Sequence, residues 1–303
     1  VVKGLRSARI GAIGARPAAF NTVRCSEKIL QNNGISVYTL DLSEVIGRAQ
    51  KMADSDRRVR TRVARIKSYA AAPDVPHEAF VKMAKLDVVI SDWMEQNDLH
   101  ATAIQCWRSL QQNYGVSVCA LMSMMSEGLM PSACEVDVTG ALSMYALQLA
   151  SGRPSALADW NNNYGDDPDK CVLFHCGNWP RAFLPDAQIT TAETLGRVVG
   201  KSLTYGTMTG RTPACPMTFA RIGTDDRNGT VHCYVGEGRF TGDPLETFGT
   251  KAVAEVADLQ NLMQHICNSG FEHHVAVTAS RVADILAESF KTYLGWDTYR
   301  HRG

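Results

Sequence analysis

Five titratable side chains stand at the edges of apolar runs. Glu135 lies within Pro131-Ser-Ala-Cys-Glu-Val-Asp-Val-Thr-Gly-Ala-Leu142, and Asp159 follows Ala156-Leu157-Ala158. His175 sits in Cys171-Val-Leu-Phe-His-Cys-Gly-Asn-Trp-Pro180, and His273 and His274 precede Val275-Ala-Val-Thr278. Open α/β sheets place their sites at strand ends. Carboxylates with imidazole make a mixed oxygen and nitrogen set, which suits a divalent transition metal such as manganese. Each residue also has a plain structural reading. A Glu beside a helix start caps it or answers its dipole. Asp159 can cap the Asn-rich loop after it, and a His in an apolar run is commonly a satisfied core residue.

Other motifs fall away. Gly11-Ala-Ile-Gly14 lacks the GxGxxG pattern, which leaves a dinucleotide site with only Asp41 in its favour. No GxxxxGK[ST], HExxH or GxSxG occurs. The segment Asn161 to Lys170 resembles a calcium loop, but Gly165 is one place early and Val172 stands where a bidentate Glu is needed.

The elements that must position these residues follow from periodicity. Residues 8 to 14, 21 to 30 and 35 to 40 read as strand, helix and strand, with Asn33-Gly34 as the stop signal. Residues 43 to 70 and 76 to 96 read as amphipathic helices separated by Pro73 and Pro76. Ala101 to Cys106 and Val116 to Leu121 read as buried strands. Strands alternating with helices imply a parallel sheet, a Rossmann or flavodoxin-like domain over 1–190. Beyond it, Val198 to Tyr205, Met217 to Ile222 and Val231 to Val235 are short strand-like runs with turns between them. These predict a β-rich, barrel-like domain over 191–303, closing with a helix from Asp258 to Asn268, a strand from Val275 to Thr278 and a last helix from Ser280 to Leu294.

Composition narrows the function classes. The 303 residues carry 31 basic and 31 acidic side chains, so no net charge draws the chain to nucleic acid or to an anionic membrane. The basic run Arg57 to Lys67 has helical spacing and reads as a solvated face. No apolar stretch reaches the roughly 20 residues that span a bilayer. Nine scattered cysteines, an odd number without a CxxC pair, read as buried reduced thiols and point to the cytosol.

Several segments together resemble the L-fucose isomerase family, with a more distant likeness to L-arabinose isomerases. Ala133-Cys-Glu-Val-Asp-Val-Thr-Gly-Ala-Leu-Ser143 is similar to the family's Glu-containing segment. Leu157-Ala-Asp-Trp160, with Asp159 24 residues after Glu135, resembles its second metal carboxylate. Gly270-Phe-Glu-His-His-Val-Ala-Val277 resembles the segment that supplies the metal histidine. Arg9-Ile-Gly-Ala-Ile-Gly-Ala-Arg-Pro17 and Asp41-Leu-Ser-Glu-Val45 look like the start of the family's second domain. The chain begins at Val1, and the resemblance implies a further α/β domain upstream of it.

The resemblance implies a cytoplasmic aldose–ketose isomerase that uses a divalent metal, usually manganese. It also implies a homo-oligomer, trimeric or hexameric. Glu135, Asp159 and His274 would be the metal ligands, and Glu135 and Asp159 would also move the proton between C1 and C2. His274 rather than His273 directly precedes the apolar strand. Trp160, Asn161, His175, Asn178, Trp179 and His273 would line the sugar pocket, Trp through its apolar face and Asn through hydrogen bonds. Arg16, Arg181 and Arg211 could bind an anionic substituent, but each reads first as a surface or structural arginine. A non-catalytic sugar-binding relative and a metal-dependent epimerase are the alternatives.

Overall fold

The computed structural model describes residues 1–303. Four strands form a parallel sheet: β1 (Arg9–Ile13), β2 (Ser36–Leu40), β3 (Ala101–Ile104) and the short β4 (Ser132–Ala133), in the order β2-β1-β3-β4. Its strands read as apolar runs because helices cover the sheet. Among these helices are Leu42–Lys51 and His77–Gln96, with Arg57–Tyr69 packed on His77–Gln96 as an outer helix, and all three arise from the amphipathic stretch of the sequence.

A second sheet follows. It comprises β5 (Ser155–Asn163), β6 (Lys170–His175), β7 (Gln188–Thr190), β8 (Thr207–Arg211), β9 (Cys215–Asp225), β10 (Thr230–Phe240), β11 (Thr250–Glu255), β12 (His274–Thr278) and β13 (Asp297–Arg300). Strands β10, β9, β12, β5, β6 and β11 are consecutive neighbours, all antiparallel. Arg239 and Phe240 of β10 pair in turn with Glu255 and Ala254 of β11, which closes these six into a barrel. Closure removes the free edges that an open sheet would expose.

Helix Val138–Ser151 joins the two parts. Every residue from Val138 to Leu147 is buried. The helix packs on β1 and β3 of the first sheet and on β5, β9 and β12 of the barrel. A helix apolar on all sides has to be enclosed in this way. One core holds Leu142 and Tyr145 of this helix with Leu157, Ala220, Ile222 and Ala276 of the barrel. The alternate barrel residues, including Met217, Phe219, Tyr234 and Val277, belong to the other core.

The barrel begins earlier than the sequence implies. A boundary at 190 leaves β5 and β6 in the wrong part, because Ser155 to His175 hydrogen-bonds within the barrel. Buried barrel strands have the same continuous apolar character as parallel ones, so composition does not separate them. Val116 to Leu121, read as a strand, instead leads into helix Cys119–Glu127, most of which is buried. Burial on every side erases the 3.6-residue period. Val198 to Tyr205 is likewise not a strand, but the end of helix Glu193–Val199 and a short 3-10 turn.

The Asn33-Gly34 stop turns the chain from helix Glu27–Asn32 into β2. Gly34 has φ +83°, and a Cβ there would collide with the backbone carbonyl of Arg6. Gly34→Ala is therefore expected to lower unfolding stability by roughly 1 kcal/mol or more, read as a lower urea midpoint at unchanged m-value. An unchanged midpoint would mean that this turn does not constrain the fold.

Candidate metal and sugar site

The site forms where the N-terminus of helix Val138–Ser151 meets the ends of β5, β6 and β12. Glu135 precedes the helix, on the connection from β4, with Asp137 as the N-cap. Glu135 and Val136 have φ values of +56° and +57°. Non-glycine residues in this left-handed region cost about 1–3 kcal/mol each, and a β-branched Val is especially disfavoured. Such strain persists only where surrounding contacts over-determine the backbone. Here Asp137 N–H donates to the Cys134 carbonyl at 2.9 Å, and Gly140 N–H donates to Asp137 Oδ1 at 2.8 Å.

Asp137 is the centre of a buried network. Arg221 Nη1 and Nη2 donate to its Oδ2 and Oδ1 at 2.6 and 2.9 Å, and His274 Nδ1 donates to Oδ2 at 2.7 Å. Arg221 also donates to both oxygens of Glu272, at 2.6 and 3.1 Å. Arg221 and Asp137 are fully buried. Burial alone would raise the Asp137 pKa, but the Arg221 charge and the His274 hydrogen bond outweigh it and hold the carboxyl well below its ordinary range. Burial likewise works against a charged His274, yet Asp137 carries its pKa above the usual histidine value. Gly140 is required here because a Cβ would collide with the Asp137 carboxylate.

Asp137 also sets the His274 tautomer. With its Nδ1 proton committed to Asp137, neutral His274 has a bare lone pair at Nε2. That atom is 3.4 Å from Asp159 Oδ1 and 3.7 Å from Glu135 Oε2. Asp159 and His274 are direct cross-strand partners of β5 and β12, so both point to one side of the sheet. His175 Nε2 lies 3.5 Å from Glu135 Oε2. Its Nδ1 accepts the Cys176 N–H at 2.9 Å, which leaves the neutral ring with its proton on Nε2. Burial raises the Asp159 pKa despite the three neighbouring histidines, with the Glu135 charge adding to the rise.

Glu135 Oε2, Asp159 Oδ1 and His175 Nε2 are buried and have no hydrogen-bond partner. Such orphaned atoms are costly unless a ligand satisfies them. Metal–ligand bonds of about 2.1 Å put neighbouring donors roughly 3 to 3.4 Å apart in octahedral or tetrahedral sites. Asp159 Oδ1 and Glu135 Oε2 stand 3.4 and 3.7 Å from His274 Nε2, close to this range, and the oxygen and nitrogen donors fit a divalent ion.

Glu135, Asp159, His175, His273 and His274 thus come together in space. His273 stands at the mouth, 41% exposed, with its Nε2 3.7 Å from Asp159 Oδ1. Asp159 is 20% exposed against 2% for Glu135, so access passes Asp159 and His273. Trp160 is partly buried beside the mouth, where its Nε1 donates to Tyr234 Oη at 3.0 Å, and Asn161 is exposed. Asn178 is buried with both amide atoms unpartnered. Trp179 does not face the mouth: it is fully buried, donates to the Leu157 carbonyl at 2.6 Å and packs edge-on against Phe183. Its apolar surface goes to the core rather than to a ligand. Arg181 and Arg211 are engaged by the carbonyls of Tyr69 and Asp243, and Arg16 lines a separate polar cleft.

Asp137, Arg221 and Glu272 escape the sequence reading. Their only signals are an Asp two residues after Glu135, a Glu two before His274 and an isolated Arg in the apolar run of β9. Removing the cation from this network leaves two buried carboxylates uncompensated. Arg221→Met is expected to cost about 3–5 kcal/mol in chemical denaturation. A loss below about 1 kcal/mol, the usual worth of a surface ion pair, would show that the network is not integral to folding.

Comparison with known proteins agrees with the resemblance read from the motifs. Residues 173–301 match the family model of the L-fucose isomerase C-terminal domain. Over 293 residues the chain is 26% identical to a sulfoquinovose isomerase of Clostridium sp. (strain MSTE9), an alignment covering 93% of this chain and 62% of that protein. It is 26% identical over 297 residues to a sulfoquinovose isomerase of Alkalicoccus urumqiensis, covering 95% and 63%. A third sulfoquinovose isomerase, from Priestia aryabhattai, is 23% identical over 292 residues, covering 95% and 63%. The chain therefore spans a little under two thirds of the length of these curated relatives.

Proposed function

We propose that this chain, with its L-fucose isomerase-type C-terminal part, carries the metal and sugar site of an aldose–ketose isomerase. The observation that carries the reading is the convergence of orphaned Glu135 Oε2 and Asp159 Oδ1 on His274 Nε2, whose tautomer Asp137 fixes. Glu135, Asp159 and His274 would hold a divalent cation, with manganese the ion that the resemblance implies. Such an ion acts as a Lewis acid, stabilising negative charge on the sugar oxygens.

Isomerisation moves a proton between C1 and C2 through an enediolate. The Glu135 carboxylate is the base in this proposal, since it is buried and held at one place by a strained backbone. Asp159 would return the proton through Oδ2, the carboxylate oxygen that does not hold the cation. The Nε2 proton of His175 points towards Glu135 and is available to a sugar oxygen at the same place. His273, beside Asp159, would orient the ring, and exposed Asn161 would contact its hydroxyls. Asn178 amide atoms, unpartnered in the interior, are further candidates for the hydroxyls. Networks of this kind also keep water from a reactive enediolate.

The names of the relatives extend the proposal to a sulfonated aldose as substrate. A homo-oligomer and a cytoplasmic location belong to the same proposal. Nine cysteines without a disulfide accord with a reducing compartment, and no helix is long and apolar enough to cross a membrane.

The test is ketose formation by the full-length protein from a panel of aldoses that includes sulfoquinovose and L-fucose. Turnover is expected with manganese and is expected to vanish with chelator. Glu135→Gln should lower kcat by about 10²-fold or more, and His274→Ala should abolish stoichiometric metal binding. Metal binding without turnover of any sugar would favour a binding protein, and activity indifferent to both substitutions would overturn the site.

A further inference from the structure

Four of the nine cysteines meet beside this site, and the proposed isomerisation uses none of them. The Sγ atoms of Cys119, Cys134 and Cys176 all lie within 4.8 Å of one another. Cys106 Sγ is within the same distance of Cys134 Sγ and of a Glu135 carboxylate oxygen. They arrive from four separate places. Cys106 follows β3, Cys119 opens helix Cys119–Glu127, Cys134 follows β4 and Cys176 follows β6. Cys106, Cys119 and Cys134 are buried and Cys176 is partly so.

The donor set is chemically distinct from its neighbour. Thiolates select soft d10 cations, whereas the carboxylate and imidazole set above suits harder ones. Zinc–sulfur bonds of about 2.3 Å put sulfurs roughly 3.8 Å apart in a tetrahedral site. The thiols at hand need only a small contraction to reach that spacing. A cavity of about 20 Å³ adjoins them, walled by Cys106, Cys119 and Cys176 with Trp107 and Phe248. It is large enough for one water-sized occupant. Phe248 is 42% exposed, so this wall reaches the surface.

We propose that Cys119, Cys134 and Cys176 form a second cation site, for a soft d10 ion of the zinc class, with Cys106 beside it. Binding is a ligand exchange without redox change. Each thiol that coordinates loses its S–H bond, passes the proton to solvent and forms a sulfur–metal bond. Cys106 links the two sites, because its S–H donates to Glu135 Oε1 at 3.3 Å. The soft site needs only the thiols and does not depend on the isomerase reading.

Cadmium is the probe. The reduced full-length protein is first equilibrated with excess manganese and then titrated with cadmium in the ultraviolet. A sulfur-to-cadmium charge-transfer band saturating at one cadmium per chain is expected. Cys119→Ser and Cys176→Ser should abolish it, while Cys267→Ser, at an exposed cysteine outside the cluster, and Glu135→Gln should retain it. Where a cluster variant fails to fold, alkylation of the wild-type protein serves instead, and bound cadmium should protect Cys176 from modification. No thiolate band, a band that survives both cluster substitutions in folded protein, a band lost in Glu135→Gln, or unprotected Cys176 would each overturn the proposal.

Discussion

One carboxylate holds the structure and the site together. Asp137 caps helix Val138–Ser151 through Gly140, receives both terminal nitrogens of Arg221 from β9, and accepts the Nδ1 proton of His274 from β12. It is fully buried, so each bond is made without competing water. The helix start, β9 and the end of β12 are thereby tied to one point. Removing any partner would strand charge in the interior, which costs more than the pair itself contributes.

The rest of the site follows from that constraint. The capping position of Asp137 fixes where Glu135 stands, two residues earlier. The chain between β4 and the helix must then pass through two left-handed residues in succession, Glu135 and Val136. The enclosed helix supplies the burial that offsets this strain, because it packs against both the parallel sheet and the barrel. Barrel closure by β10 and β11 holds β5 and β12 in register, and their register puts Asp159 directly across from His274. A hard donor set and a cluster of thiols are then neighbours, with Cys106 touching Glu135. The two sets differ in chemistry although they share a wall.

Local signals in the sequence carried part of this. Glu135, Asp159 and His274 were legible because each breaks an apolar run within a recognisable segment, and the parallel-sheet character of the first part followed from alternating strands and helices. The β-rich second part was legible from its turns. Its true beginning at β5 was not, because a buried barrel strand and a buried parallel strand have the same composition. Helix Cys119–Glu127 was hidden for a related reason: surrounded by core, it shows no polar face. The Asp137–Arg221–Glu272 network was invisible because its bonded pairs are 51 and 84 residues apart in the chain and meet only through barrel closure. Trp179 illustrates the converse, since a residue type suited to stacking on a sugar serves instead as a core strut between β5 and Phe183.

The central claim is that Asp137 prepares His274 to bind a metal ion. Calorimetric titration of manganese into full-length Asp137→Asn, with folding verified by circular dichroism, tests it most directly. The account predicts binding weakened by about 10- to 100-fold, since the amide has no negative charge to hold the Nδ1 proton in place. Wild-type manganese affinity in the folded variant would contradict it.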